Sequence, residues 1–599
     1  MAAKTFHLGL CMAGSVSAGA YTAGVMDYLI EALTNWEHAK KTDPAVPQHE
    51  VKIDLLCGAS GGGITAALSL FALHDKIDHP VLHADGSYTA PVKNIFWETW
   101  VEMTGADMFS ELMKTSDIRQ GYVPSALNAS FIDQLASRFN DYVNHLAASG
   151  GTKPIFLGKE PELFLTLFNV TGINYELHAK SSGPDSKQYV TDHRDLAHFR
   201  FSGDQYKEDG RMHLSLGNLS YLPVLIQAAM ATGAFPVGLK ARTVSRENRF
   251  IWDHPFFNRG RQFTAETIGL GANAIKTGVY TSLNADGGTA NNEPVELAKE
   301  VLLTILANVY KQVNLPVPYE SMDKENKQDA LKQLHNTSII LIDPFPSTNN
   351  NIVTPGPESD GLVEYLPDLI HALQSQLIFD AKEALDAYRK GNYGLHVVAP
   401  SRDGVVPSHA IACGALNGFG GFINKEFRVH DYFLGRHNCQ SFLRKYFIVD
   451  PEEVPTSNDY QCVESVILAY KHNAAAMNRF AFRDENNKLW VPIIPDVSLH
   501  EPMQMEMVEG KPSYKAPGEL PTYTLNPLPE GHLFQFRNGI AERYAALLGN
   551  ILKKQPWYVD LFIWLARKVS SKKVNAHLLE KIECDLKKRG LIESDRPCL

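Results

Sequence analysis

Apolar residues along this chain gather into short runs that alternate with stretches of helical spacing. Phe6–Cys11 is a short apolar run, Gly19–Leu33 repeats its apolar positions at helical spacing, Ile53–Cys57 is a second run, and Ile64–Leu73 a second helical stretch. Strand, helix, strand, helix predicts a parallel sheet, whose strands read as near-continuous apolar runs because both faces are covered. Further strands are expected at Leu163–Val170, Gly278–Leu283, Ser338–Ile342 and Leu395–Ala399, with apolar helical patterns at Pro223–Thr232, Glu296–Gln312 and Leu362–Tyr388. The expected fold is therefore α/β, a mainly parallel sheet flanked by helices, occupying residues 1–410. Residues 75–160 and 173–215 are polar and aromatic without a clean period, and read as insertions able to form a cap. From residue 411 the pattern changes to loops and helices, opening with a glycine-rich turn at Gly418, Gly420 and Gly421. Residues 411–599 thus form a mostly helical C-terminal region, within which 511–530 hold five prolines and read as an extended linker.

Composition narrows the functional classes. A chain of 599 residues exceeds one compact core, and 44% hydrophobic with 21% charged residues is ordinary for a globular protein. The net charge of −10 offers no basic excess to match phosphates, so nucleic acid is not an expected partner. Cys11, Cys57, Cys413, Cys439, Cys462, Cys584 and Cys598 are scattered, odd in number and without a CxxC pair. That argues against a zinc site or a disulfide framework and favours a reducing compartment. Residues 5–26 carry no charge and follow Lys4, as a secretory leader would, but they are rich in Gly, Ser and Ala and run into a helix pattern. Residues 55–73 are uncharged and reach the roughly 18-residue length of a membrane span, but the run Gly61-Gly62-Gly63 fits a buried strand, turn and helix better. A cytoplasmic or peripheral-membrane location is expected, with secretion less so. Trp557, Tyr558, Phe562 and Trp564 precede Arg567, Lys568, Lys572 and Lys573. Such a helix can lie on an anionic membrane surface, or pack its apolar face on the protein body with its lysines in water.

Candidate chemistry begins at Gly58-Ala59-Ser60-Gly61-Gly62, which fits G-x-S-x-G. A serine on a sharp strand-to-helix turn needs small neighbours such as Gly58 and Gly62 so that its hydroxyl projects from the strand end. The following helix aims its N-terminal dipole at charge developing on that hydroxyl. Only one strand and one helix precede the strand carrying Ser60, fewer than an ordinary α/β-hydrolase places before its elbow. The turn Cys11-Met12-Ala13-Gly14-Ser15-Val16-Ser17-Ala18-Gly19, the elbow from Ile53 to Gly62, the segment Ala228–Pro236 ending in Phe-Pro, and Asn284-Ala285-Asp286-Gly287-Gly288 followed by Asn291-Asn292 and Pro294 occur in that order. Together these four segments resemble the motifs of patatin-like phospholipases, and a fainter likeness to bacterial relatives continues through Asp431–Arg436.

The resemblance implies a serine lipid acyl hydrolase working by a Ser60–Asp286 dyad through an acyl-enzyme, with a lipid acyl ester as substrate. Gly287 and Gly288 would permit close backbone approach around Asp286, a carboxylate with an ordinary pKa near 4. Backbone N–H groups of Gly14, Ser15 and Val16 would form the oxyanion hole. Patatin-like loops usually run Gly-Gly-Gly-x-Arg/Lys-Gly, whereas Ala18 stands here where the basic residue would be, so a divergent substrate or reduced activity is open. No HExxH, CxxC or Asp-rich calcium loop occurs, so neither metal nor cofactor is expected. A thioesterase or acyltransferase with the same dyad, or a catalytically silent lipid-binding protein, remain alternative readings. The oligomeric state is left open.

Overall fold

The computed structural model describes residues 5–105, 107–178, 187–203, 209–258, 278–312, 337–346, 394–402, 405, 409–452, 461–508, 511–515, 517–551 and 578–595. The chain opens as β1 (Thr5–Met12), α1 (Gly19–Ala39), β2 (Glu50–Gly58) and α2 (Ser60–Ala72), the order that the apolar pattern predicts. Every residue of β1 is buried, as a strand covered on both faces must be. There follow α3 (Ser130–Ser149), β3 (Leu157–His178), β4 (Lys187–Phe201), β5 (Met212–Leu214), α4 (Leu222–Thr232), β6 (Arg242–Glu247), β7 (Val279–Asp286), α5 (Val295–Gln312), β8 (Thr337–Ile342), β9 (Leu395–Val398) and α6 (Lys425–Lys445).

The strands form one sheet in the order β9-β8-β1-β2-β3-β4-β5, with β7 pairing both β3 and β6. From β9 through β3 all pairings are parallel. The fold is thus α/β, a mainly parallel central sheet flanked by helices. Two departures from the sequence pattern concern its far side. The strand expected to stop at Val170 continues to His178, and β4 pairs antiparallel with it, so residues 173–178 and 187–201 belong to the sheet. β7 also runs antiparallel to β3, and its residues alternate between exposed and buried positions. β7 does not read as a continuous apolar run because a strand solvated on one side shows period-2 alternation. β4 does not because it carries the buried polar residues Asp195, His198 and Arg200, the last paired with Glu162 at 2.7 Å. Within the expected linker, Lys511–Lys515 pairs antiparallel with Gln504–Val508, and Pro512 sits in that two-stranded ribbon. The stretches Leu362–Tyr388 and Trp557–Lys573 lie outside the described residues.

The C-terminal elements share a core with the sheet: Leu10 and Met26 cluster with Phe427, Tyr432 and Phe447. Helices α1 and α6 cross so closely that a Cβ on Gly24 would fall 2.0 Å from the Tyr432 carbonyl, and one on Gly435 would fall 2.2 Å from that of Tyr21. Beside the crossing, Arg436 bonds the fully buried Asp27 and reaches Glu31 at 2.6 Å. Burial alone would raise the Asp27 pKa, but Arg436 and His79 outweigh it and hold the carboxyl below its usual value. Cys11, Cys57, Cys413 and Cys439 are free and buried. Among the described residues no helix is long and apolar enough to cross a membrane.

Candidate active site

Two strand ends meet head to head on one edge of β3. β2 ends at Gly58, opposite Leu165, and β7, arriving from the other direction, ends at Asp286, opposite Leu167. Two residues along a strand span about 7 Å, so the side chains leaving these two ends fall within reach of each other. A sheet with every strand parallel would deliver both groups at strand carboxyl ends. Here the antiparallel β7 achieves the same meeting by descending the part of β3 that β2 leaves unpaired.

Ser60 is the first residue of α2 and has φ 51°, in the left-handed region, on a turn whose preceding residue is extended. Backbone strain of this kind is maintained only where surrounding contacts over-determine it, and the contacts are visible. The Ser60 N–H donates to Thr232 Oγ1 at 2.9 Å, from the last turn of α4. A Cβ on Gly62 would fall 2.3 Å from the carbonyls of Met12 and Ala13, and one on Gly58 2.7 Å from that of Met12, so these glycines let β1 touch the elbow. On the other side, a Cβ on Gly287 would fall 2.1 Å from the Thr166 carbonyl, and one on Gly288 2.7 Å from Asn292 Oδ1.

The Ser60 hydroxyl donates to Asp286 Oδ2 at 2.6 Å, and the Gly288 N–H donates to Asp286 Oδ1 at 2.7 Å. Both residues are buried, with 6% and 4% of their surfaces exposed. Burial pushes the Asp286 pKa up to about 7, even though the Ser60 hydroxyl and Gly288 N–H favour the carboxylate. The ordinary value near 4 expected from the sequence is therefore corrected: desolvation outweighs two hydrogen bonds. Among the described residues no histidine bonds either member of the pair. His396 bonds Ser338, His430 bonds Asp431 and Arg402, and His437 bonds the Leu520 carbonyl. His335 and His371 lie outside the described residues.

The glycine-rich turn after β1 lies against this pair. A Cβ on Gly14 would fall 3.2 Å from Ser60 Cβ and 2.2 Å from Asn292 Oδ1. The Gly14 N–H already donates to the Asn292 carbonyl, at a long 3.4 Å. Ser15 is buried with an unpaired hydroxyl, and the β-branched Val16 has φ 47°, a rare conformation for such a residue. The sequence quotes Thr232 and Asn292 inside motifs without a role; only the packing of α4 and of the turn after β7 reveals what they hold.

Ser60 opens on a cleft with about 870 Å³ of space, its mouth included. Its lining includes Trp100, Met103, Phe131, Leu135, Phe139, Ile226, Met230, Phe235 and Leu239, with Phe422 contributed by the C-terminal region. Apart from Ser60, Thr99 is the only hydroxyl-bearing side chain among the lining residues. Such a lining favours an alkyl chain over a polar ligand.

Residues 10–299 match the family model described as patatin-like phospholipase. The chain is also 28% identical over 541 residues to the uncharacterized protein y4iI of Sinorhizobium fredii, an alignment covering 82% of this chain and 70% of that protein.

Proposed function

We propose that this chain, whose residues 10–299 make up a patatin-like phospholipase domain, is a serine lipid acyl hydrolase with Ser60 as nucleophile and Asp286 as base. The observation that carries this reading is the 2.6 Å hydrogen bond from the Ser60 hydroxyl to a buried carboxylate, at the rim of an apolar cleft. Ser60 Oγ attacks the ester carbonyl while its proton passes to Asp286. The tetrahedral oxyanion is held by the N–H groups of Ser15 and Val16, with the Gly14 N–H engaged by the Asn292 carbonyl. The carbon–oxygen bond to the alcohol breaks, and the leaving alkoxide takes the proton from Asp286. Water then gives its proton to Asp286 and attacks the acyl-enzyme, the bond from the acyl carbon to Ser60 Oγ breaks, and Oγ takes the proton back from Asp286 as the fatty acid leaves.

Three features support a lipid ester as substrate: the family, the apolar cleft, and its small number of polar groups. The acyl chain would lie among Trp100, Phe131, Ile226 and Met230. Which head group is cleaved, and whether oxygen esters are preferred over thioesters, is decided by a turnover panel of lipid classes. The test of the nucleophile is a fluorophosphonate probe on the full chain. Wild-type protein should be labelled at Ser60 and hydrolyse esters, while folded Ser60→Ala should do neither. Undiminished hydrolysis by Ser60→Ala would overturn the assignment.

A further inference from the structure

The turn proposed to bind the oxyanion carries a strained residue and no side-chain cation, so something else must fix its shape. Val16 sits at φ 47°, and the segment packed against it is strained in the same sense. Leu416, Asn417 and Gly418 have φ 55°, 53° and 98°, three consecutive residues in the left-handed region. A Cβ on Gly418 would fall 3.1 Å from Val16 Cβ. Non-glycine residues in this region are disfavoured and persist where the surroundings impose them, often at functional sites.

One side chain joins the two strained pieces. The hydroxyl of Ser17, completely buried, donates to the Gly418 carbonyl and accepts from the Gly421 N–H at 2.9 Å. The partner segment is itself anchored. Asp431 accepts from the N–H groups of Ala412 and Cys413 at 2.8 and 2.9 Å, and the buried Arg428 donates to the carbonyls of Gly421 and Val101. Phe422, directly after this segment, lines the acyl cleft. None of residues 412–431 lies within the part of the chain matching the family model, which ends at residue 299.

We propose that Ser17 is a positioning residue for the oxyanion turn, holding Val16 and its neighbours in register through the Leu416–Gly421 segment. The C-terminal region is in this way part of the catalytic site: it sets where the Ser15 and Val16 N–H groups point. This inference rests on the hydrolase reading. Ser17 does not touch the reacting atoms; it acts through backbone geometry, so its loss should weaken transition-state stabilisation and leave acyl binding in place.

The test uses the full chain with p-nitrophenyl octanoate as substrate. Ser17→Ala should lower kcat by on the order of ten- to a hundredfold, the scale set by misplacing a catalytic group by an ångström, with KM changed by less than about twofold. A trifluoromethyl ketone with an octyl chain, which forms a tetrahedral adduct on the serine, should lose affinity by the same factor. Octanoate, which only fills the cleft, should inhibit as before. Ser17→Thr, which returns the hydroxyl, should recover most of the loss. Should Ser17→Ala fail to fold, Gly421→Ala reads the same contact from the other side, because its methyl would fall 2.7 Å from Ser17 Oγ. Folded Ser17→Ala with undiminished kcat, or parallel loss of ketone and octanoate binding, would overturn the proposal alone. Wild-type protein that neither hydrolyses the ester nor is labelled at Ser60 would overturn the hydrolase reading and this inference with it.

Discussion

At the scale of single residues, the protonation of Asp286 governs how the site should respond to pH. Its pKa is raised to about 7 because burial disfavours the charged form. If it serves as the base, hydrolysis should rise with pH through about 7 rather than through the ordinary carboxylate range. A limb at that position resembles a histidine titration, so its midpoint alone does not identify the base. The two differ in sign when the medium becomes less polar: a carboxyl loses its charge on protonation, and its pKa rises, whereas an imidazolium pKa falls. The acid limb of kcat, measured in water and in a water–alcohol mixture, should therefore move to higher pH. Movement to lower pH would point to a histidine instead. The strand-to-helix turn at Ser60 was legible in the sequence, because an apolar run precedes its small residues and an apolar helical stretch follows them. The pKa was not, since desolvation depends on what covers a carboxyl and not on its neighbours along the chain.

Between elements, the crossing of α1 and α6 ties the domain matched by the family to the C-terminal region. Asp27 has no exposed surface, and Arg436 supplies its compensating charge. Without Arg436, Asp27 keeps His79 and Asn94 as partners, and removing one partner of a buried ion pair costs roughly 3–5 kcal/mol where nothing else compensates. Arg436→Leu should accordingly lower the unfolding temperature markedly. The sign with pH follows from the depressed Asp27 pKa. The stabilisation is present above the unfolded-state value of 3.8 and is lost as pH falls below it, so wild type and variant should converge in acid. An equal gap in unfolding temperature at pH 7 and at pH 3 would contradict this. The β1, α1, β2 and α2 elements were legible because buried parallel strands and their helices carry dense apolar signals. The antiparallel pairing of β4 on β3 and the antiparallel course of β7 were not, because β4 carries buried charged residues, β7 alternates with one face in water, and pairing direction leaves no trace in a single run. Ser17 was legible only as one more small residue in a glycine-rich turn; its partners lie some 400 positions away in sequence, at Gly418 and Gly421.

For the whole molecule, a buried carboxyl with a raised pKa has a cost in stability that the fold must carry. The unfolded chain ionises Asp286 near 3.8, the folded chain near 7. Between these values the folded state binds more protons, so this group makes stability fall as pH rises from about 4 to about 7, after which its contribution stays constant. Asp286→Asn removes that titration. Its unfolding temperature relative to wild type should be more favourable at pH 8 than at pH 4.5, and a pH-independent difference would speak against a buried, perturbed carboxyl. The same variant tests the central claim most directly, through its turnover number on a fatty-acyl ester at pH 8, where wild-type Asp286 is largely ionised. Asparagine keeps the size of the side chain and cannot accept the Ser60 proton as a carboxylate does. The account predicts a folded Asp286→Asn protein whose kcat is lower by roughly a hundred- to ten-thousandfold, the range expected for loss of a general base. A folded Asp286→Asn protein that turns over at the wild-type rate would contradict it.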